Sequence, residues 1–189
     1  MAENPPARVK ALSRHGVWTP TYRYRSPQTD GRDTLPRLNT VDLDLLGLRP
    51  GDRVLDVGCG TGALAFVAAL EGARHVVAFD LDPDAAFATR EQARANGIPR
   101  VSTFAGPLDA LLGSGRFDVI VANMIHEEIA PLLPALHARL APGGRLLCSG
   151  QLVERRGEWE ELLRRSGFHS VRSLTENEWF GSAWISSNG

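Results

Sequence analysis

The sequence predicts an α/β fold, namely a doubly wound, seven-stranded, mostly parallel sheet that ends in an antiparallel hairpin. Two observations carry this prediction. Between about residues 53 and 166, short apolar segments alternate with longer helix-like segments, a pattern typical of a parallel sheet with helices on both faces. Beyond residue 167, two β-like segments, Val171–Leu174 and Trp179–Ser186, flank the polar residues 175–178 and predict a hairpin.

The chain divides into an irregular arm and a regular body. Its 189 residues, 43% of them hydrophobic, are enough for one globular domain. Residues 1–35 contain several prolines and no sustained periodicity, so we expect an N-terminal arm or lid there and one domain over residues 36–189. Aromatic and basic residues alternate within Trp18–Arg25. They contact a phosphate or an acidic partner, cover a bound ligand, or pack on the body, and packing on the body is slightly favoured.

The elements of the body follow from periodicity and from residues that begin or end helices. Asp82 is a good N-cap, Pro83 suits the first helical position, and Gly97 ends that helix. Pro131 and Pro134 predict a break near the start of the third body helix. Parallel strands are predicted at Arg53–Val57, His75–Phe79, Arg100–Phe104, Phe117–Ala122 and Arg145–Ser149. Helices are predicted at Leu35–Leu46, Ala63–Glu71, Asp84–Asn96, Glu127–Leu140 and Glu154–Ser166.

The most informative segment joins the first strand to the first body helix. Its glycines permit a tight turn, allow a ligand to lie directly on the backbone, and aim helix N–H groups at that ligand. The spacing also satisfies a loose dinucleotide-binding pattern, but the third glycine and the acid before the loop fit that pattern less well. The residues predicted to bind a cofactor here are Asp56, Gly58, Cys59, Gly60, Thr61 and Gly62.

Two further segments are predicted to complete this binding site. Asp80 ends the second strand, where a carboxylate can accept hydrogen bonds from both hydroxyls of a ribose. The alternative is that Asp80 is only a turn residue, and the upstream glycine loop favours the ribose role. Leu81 is assigned to the same site. Gly106 and Leu108 follow the third strand and are expected to lie along the base, with the Leu108 N–H available to it.

The end of the fourth strand is expected to face the second substrate, because ligands of open α/β sheets bind beyond the carboxyl ends of the strands. Asn123 offers an amide donor and a carbonyl acceptor, suited to holding an amine or orienting the cofactor. His126 could accept a proton near neutral pH. A catalytic role is therefore considered for both, although a solvent-facing position at a helix N-terminus is the favoured interpretation of His126.

Segment Asp56–Gly62 resembles motif I of the class I S-adenosylmethionine-dependent methyltransferases. Segments Val121–Ile125 and Leu140–Gly150, with Gly167-Phe168 and Glu178-Trp179, resemble the catalytic domain of the bacterial ribosomal protein methyltransferases. Those enzymes trimethylate amino groups of the large-subunit stalk-base protein. The resemblance extends from about residue 49 to residue 185, most of the chain.

This resemblance implies a Rossmann-like class I methyltransferase fold with S-adenosyl-L-methionine as cofactor. Asp56 would serve the amino-acid end of the cofactor, Asp80 would bind the ribose, and Asn123 would place the acceptor nitrogen. Two features depart from the family. A short arm stands where the family has a substrate-recognition domain, and Thr29–Thr34 contains no histidine where the family has a Gly-Thr-Gly-His-His-like loop.

The methyl acceptor therefore stays open between a protein and a small molecule, with a non-catalytic cofactor-binding subunit as a third possibility. A nucleic acid is not favoured, because the net charge is only −1 and Asn123 is not followed by the Pro-Pro-aromatic sequence typical of base amino methylation. The two cysteines have no metal-site spacing. With no apolar segment long enough for a membrane span or a signal peptide, the chain is expected to be cytoplasmic. The sequence does not indicate an oligomeric state.

Overall fold

The computed structural model describes residues 47–111, 113 and 115–187. The predicted arm at residues 1–35 and the predicted helix Leu35–Leu46 lie outside these residues. The strands are β1 (Arg53–Val57), β2 (His75–Asp80), β3 (Val101–Ala105), β4 (Phe117–Asn123), β5 (Leu140–Leu152), β6 (Phe168–Glu176) and β7 (Trp179–Ser186). The helices are α1 (Ala63–Leu70), α2 (Pro83–Ala95), α3 (His126–Ile129), α4 (Leu133–Arg139) and α5 (Arg156–Arg165).

All seven strands form one sheet in the order β3-β2-β1-β4-β5-β7-β6. The pairings among β1 to β5 are parallel, whereas β7 pairs antiparallel with both β5 and β6. The predicted fold class, including the C-terminal antiparallel hairpin, is confirmed. The strand order reverses between β1 and β4, and a crevice at the carboxyl ends of such strands is where α/β sheets bind their ligands.

The core lies on both faces of the sheet. On one face, α3, α4 and α5 cover the sheet around the fully buried Trp159 and Trp184. On the other face, α1 and α2 pack small side chains, such as Ala65 and Ala93, against the valines of the central strands. Small residues let these two helices approach the sheet closely, which keeps the loops that precede them near the strand ends.

The helix predicted at Asp84–Asn96 has the ends that its sequence predicts, and the helix predicted at Glu127–Leu140 has the predicted break. The Asp82 side chain caps α2 by accepting a hydrogen bond from Asp84 N at 2.9 Å, and Gly97 adopts a φ of +61° just beyond its C-cap. The predicted proline break is confirmed, because a 3₁₀ turn at Ala130–Leu132 separates α3 from α4. Among the described residues, no helix is long and apolar enough to cross a membrane.

Two strands, β5 and β6, begin earlier and end later than predicted. Strand β5 begins at Leu140 instead of Arg145, because the Pro-Gly-Gly sequence forms an irregularity within the strand and does not precede it. The pairing of β5 with β4 is interrupted there, between the pairs Phe117↔Leu140 and Val119↔Arg145. Strand β6 begins at Phe168 instead of Val171, because the three residues before Val171 also pair with the end of β7.

Candidate active site

The glycine loop between β1 and α1 has the backbone conformation that its sequence requires. Gly58, Gly60 and Gly62 have φ values of +66°, +52° and +81°, which side-chain-bearing residues rarely adopt. A Cβ at Gly62 would lie 2.7 Å from the Thr89 side chain, whereas a Cβ at Gly60 would meet nothing within 4 Å. Gly62 is therefore needed for packing, and the space beside Gly60 is open to a ligand.

Hydrogen bonds hold this loop against the neighbouring strand and helix. Cys59 N donates to Phe79 O at 2.9 Å, and the Thr89 hydroxyl donates to Gly60 O at 3.0 Å. Burial raises the pKa of the Cys59 thiol to about 12, so this side chain stays neutral and acts as a small core residue. Thr61, between Gly60 and Gly62 of the loop, is half-buried.

Asp80 links the glycine loop to the end of β2. Its Oδ2 accepts a hydrogen bond from Gly60 N at 2.9 Å, and its Oδ1 accepts one from Asp82 N at 3.0 Å. A carboxylate can accept about four hydrogen bonds, so these two leave capacity for ribose hydroxyls. The structure thus orients the carboxylate, and its ribose role stays a prediction.

Asp56 is buried beneath the same loop, with 1% of the residue exposed. Its Oδ2 accepts a hydrogen bond from Ala65 N at 3.0 Å, in the first turn of α1. Gly62, at the N-cap of that helix, has no side chain to do so. The other oxygen, Oδ1, is buried without a hydrogen-bond partner among the described residues. Asp56 therefore holds the start of α1 from beneath the loop, and its role at the amino-acid end of the cofactor stays a prediction.

Burial, opposed by the Ala65 hydrogen bond and assisted by the negative charge of Asp80, raises the pKa of Asp56 from 3.8 to about 7. Because the folded state binds this proton more tightly than the unfolded state, the contribution of Asp56 to stability is present below pH 3.8 and is lost as the pH rises through about 7.

We expect Asp56→Asn to flatten this fall in stability with rising pH, since asparagine can keep the Ala65 hydrogen bond without ionising. Urea unfolding of both proteins across this pH window measures the difference; parallel curves would contradict it.

Asn123 ends β4 and is exposed at the carboxyl edge of the sheet. It pairs with Ser149 of β5, and the following residue, Met124, extends its side chain over the glycine loop. A Cβ at Gly58 would lie only 3.1 Å from the Met124 sulfur. The structure therefore brings the predicted acceptor segment and the predicted cofactor loop into contact.

His126 does not face solvent, and the favoured interpretation of this residue was wrong. Its side chain is only 13% exposed, because the ring packs edge-on against Trp159 with 5.3 Å between ring centroids. Nε2 lies 3.8 Å from Glu158 Oε1, and Nδ1 is buried without a hydrogen-bond partner in the described part of the chain. Arg155 binds both Glu127 and Glu158 and lowers the pKa of both carboxyls.

The remaining predicted cofactor residues lie around Asp80. Gly106 N donates to the Asp80 carbonyl at 2.9 Å, which ties the loop after β3 to the end of β2. Leu108 is 5% exposed and begins a 3₁₀ turn, so its side chain belongs to the core and only its backbone could face a base. Leu81, beside Asp80, is 71% exposed, a large apolar side chain left accessible next to the predicted ribose site.

Sequence analysis did not identify Gly150 and Gln151 of β5, which both contact the Asn123–Met124 segment. The signal in the sequence was weak, since Gln151 follows Ser149 and Gly150 just beyond the predicted strand, and its burial becomes evident only in the fold. The described residues contain no group of three or more His, Cys, Asp or Glu side chains that could hold a metal ion.

Comparison with known proteins identifies the family of this chain. Residues 35–184 match the family of ribosomal protein L11 methyltransferases (PrmA). The chain belongs to this family. The L11 methyltransferase of Geobacter sulfurreducens is 40% identical over 182 residues, which cover 89% of this chain and 59% of the relative. That of Thermus thermophilus is 39% identical over 132 residues, which cover 70% of this chain and 51% of the relative.

A solved relative has the same fold. The crystal structure of the ribosomal protein L11 methylase from Lactobacillus delbrueckii subsp. bulgaricus superimposes with a TM-score of 0.69 at 32% identity, covering 74% of this chain and 71% of that one. These matches confirm the predicted family and the class I methyltransferase fold. The chain spans only 51–59% of the length of the two curated L11 methyltransferases.

Proposed function

We propose that this protein is an S-adenosylmethionine-dependent methyltransferase that methylates an amino group of a protein. The contact between the Asn123–Met124 segment and the glycine loop carries this proposal. It places an exposed amide, which can orient an amine, beside a loop with open space at Gly60 and an acid at Asp80. Cofactor and acceptor would thus meet at the carboxyl edge of the sheet, where the strand order reverses.

Different residues would bind different parts of the cofactor. The glycine loop and Asp80 would hold the nucleoside, and Asp56, beneath the same loop, would serve the amino-acid end of the cofactor. S-adenosylmethionine supplies a methyl group already activated on a sulfonium, so the protein needs mainly to provide position and electrostatics.

Asn123 would orient the acceptor nitrogen for in-line attack. The attacking amine must be neutral, whereas a free lysine amine has a pKa of about 10.4. Partial removal of water from the site lowers the pKa of an amine, because burial disfavours its charged form. The Asn123 carbonyl can accept an N–H of the neutral amine and thereby fix the direction of its lone pair.

The names of the relatives support a ribosomal protein, L11, as the acceptor. We propose the cytoplasm as the compartment in which the acceptor is met. The test incubates the purified chain with S-adenosylmethionine labelled on its methyl group, first with purified L11 and then with a cell extract divided into protein, nucleic-acid and small-molecule fractions. Label on L11 supports the proposal. Label in the small-molecule fraction alone, or no transfer to any fraction, would overturn it.

We also propose that residues 1–35 form an arm that is dispensable for folding but needed for activity. The irregular composition of residues 1–35 motivates this proposal, and the family model matches the chain from residue 35 onward. A truncation that starts at Leu35 should unfold cooperatively, bind the cofactor less tightly and lose most methyl transfer. Full activity in the truncation would show that the arm is passive, and failure to fold would show that it belongs to the core.

A further inference from the structure

Strand β5 contains a buried amide at its carboxyl end. Gln151 is 2% exposed, although the residues around it are apolar or small. Its Nε2 donates a hydrogen bond of 2.6 Å to the carbonyl oxygen of Met124. Since a buried amide without a partner is unfavourable, this bond fixes both the glutamine and the segment that follows β4.

The backbone of β5 is shaped to receive that segment. Its pairing with β7 shifts between Cys148 and Gln151, and Gly150 within this irregularity has a φ of +82°. A Cβ at Gly150 would lie 2.7 Å from Asn123 Oδ1 and 3.1 Å from the Met124 carbonyl oxygen. A local irregularity of this kind re-aims the side chains next to it, and here it turns the strand toward the end of β4.

Met124 is therefore held on three sides. Its N–H donates to Ser149 O at 3.1 Å, its carbonyl accepts from Gln151, and its side chain lies against Gly58 of the glycine loop. Asn123 immediately precedes it. Any movement of the Met124 backbone would thus move Asn123.

We infer that Gln151 is a positioning residue that holds Asn123 in place for the acceptor, through its hydrogen bond to the Met124 carbonyl. The inference rests on the proposed methyl transfer for its effect on turnover, but the anchoring itself is independent of activity. The hydrogen bond of Gln151 goes to the Met124 backbone and not to the glycine loop, so its effect should be on turnover and not on cofactor affinity.

Gln151→Met removes the donor and keeps the length of the side chain. We expect kcat for the protein acceptor to fall by about 10- to 100-fold, since small misplacements of a reacting group cost this much. The Kd for S-adenosylmethionine should change by less than a few-fold. Hydrogen exchange of a peptide covering residues 120–130, followed by mass spectrometry, should become faster in the variant.

Gln151→Glu provides a readout that packing alone would not change. A protonated glutamate can donate to the Met124 carbonyl, whereas an ionised one cannot, and burial raises its pKa. The ratio of its kcat to that of the wild type should therefore be highest at low pH and fall as the pH rises. Ser182→Ala is the matched control, because it removes a buried partner of Trp184 on the adjacent strand β7 and should leave turnover and exchange at residues 120–130 unchanged.

Unchanged hydrogen exchange in Gln151→Met would overturn the anchoring. Faster exchange with unchanged kcat would overturn the positioning role, as would a Gln151→Glu ratio that does not vary with pH. If the wild type transfers no methyl group to any protein, the proposed function fails. The exchange measurement then still decides whether Gln151 holds the segment.

Discussion

Asn123→Ala should abolish most methyl transfer while leaving cofactor binding nearly intact. Asn123 lies at the carboxyl end of β4, outside the glycine loop, and it is exposed at the strand end where the acceptor is proposed to enter. Because loss of orientation at a reacting group can cost two orders of magnitude, kcat should fall by about 100-fold or more. Calorimetric Kd values for S-adenosylmethionine should agree with the wild type within a few-fold.

Asn96→Ala is the matched control for this substitution. The Asn96 side chain donates to Gln92 O at the C-terminal end of α2, away from the strand ends that form the site. Its loss should lower stability modestly and leave kcat unchanged. His126→Ala tests the competing assignment, since loss of activity there with activity retained in Asn123→Ala would transfer the catalytic role to His126.

Asp80→Ala should weaken cofactor binding by about 100-fold or more. Hydrogen bonds to a charged group contribute about 1.5–3 kcal/mol each, and the proposed ribose contact has two of them. The substitution also removes the acceptor of Gly60 N and Asp82 N, so the glycine loop loses one of the hydrogen bonds that hold Gly60 in place. Both effects reduce affinity, and titration calorimetry with S-adenosylmethionine measures their sum.

Asp118→Ala separates this effect from a general loss of stability. Asp118 also accepts a backbone hydrogen bond, from Arg53 N at 2.8 Å, but near the amino ends of β1 and β4, at the opposite edge of the sheet. The substitution Asp118→Ala should destabilise the fold without changing the Kd for S-adenosylmethionine. An unchanged Kd in Asp80→Ala would mean that this carboxylate is only a turn residue.

The sequence predicted the parallel strands well because each is a short apolar segment buried on both faces, so tertiary contacts reinforce what composition indicates. The error at β5 has a specific cause. Pro142, Gly143 and Gly144 are turn residues in local terms, and only pairing with β4 keeps them within an irregular strand. Local sequence does not contain that pairing.

The site was predictable to the extent that it depends on the positions of residues along strands. Asp80 and Asn123 could be assigned because a strand end locates a side chain at the binding edge. The burial of His126 could not be predicted, because it depends on packing against Trp159. That residue belongs to α5, which follows β5 in the sequence. The bond from Gln151 to Met124 likewise joins residues that only the folded sheet brings together.

The order of the strands also has a consequence for how the chain folds. Strand β1 is central, yet the residues that join it to β4, Arg53 and Asp118, are 65 positions apart in the sequence. Closing such a long loop costs entropy before the pairing repays it, so folding is expected to be slow compared with that of a helical domain of equal size. During synthesis, the backbone N–H and C=O groups of β1 that pair with β4 stay unpaired until β4 has left the ribosome, and an unpaired strand edge favours aggregation in that interval.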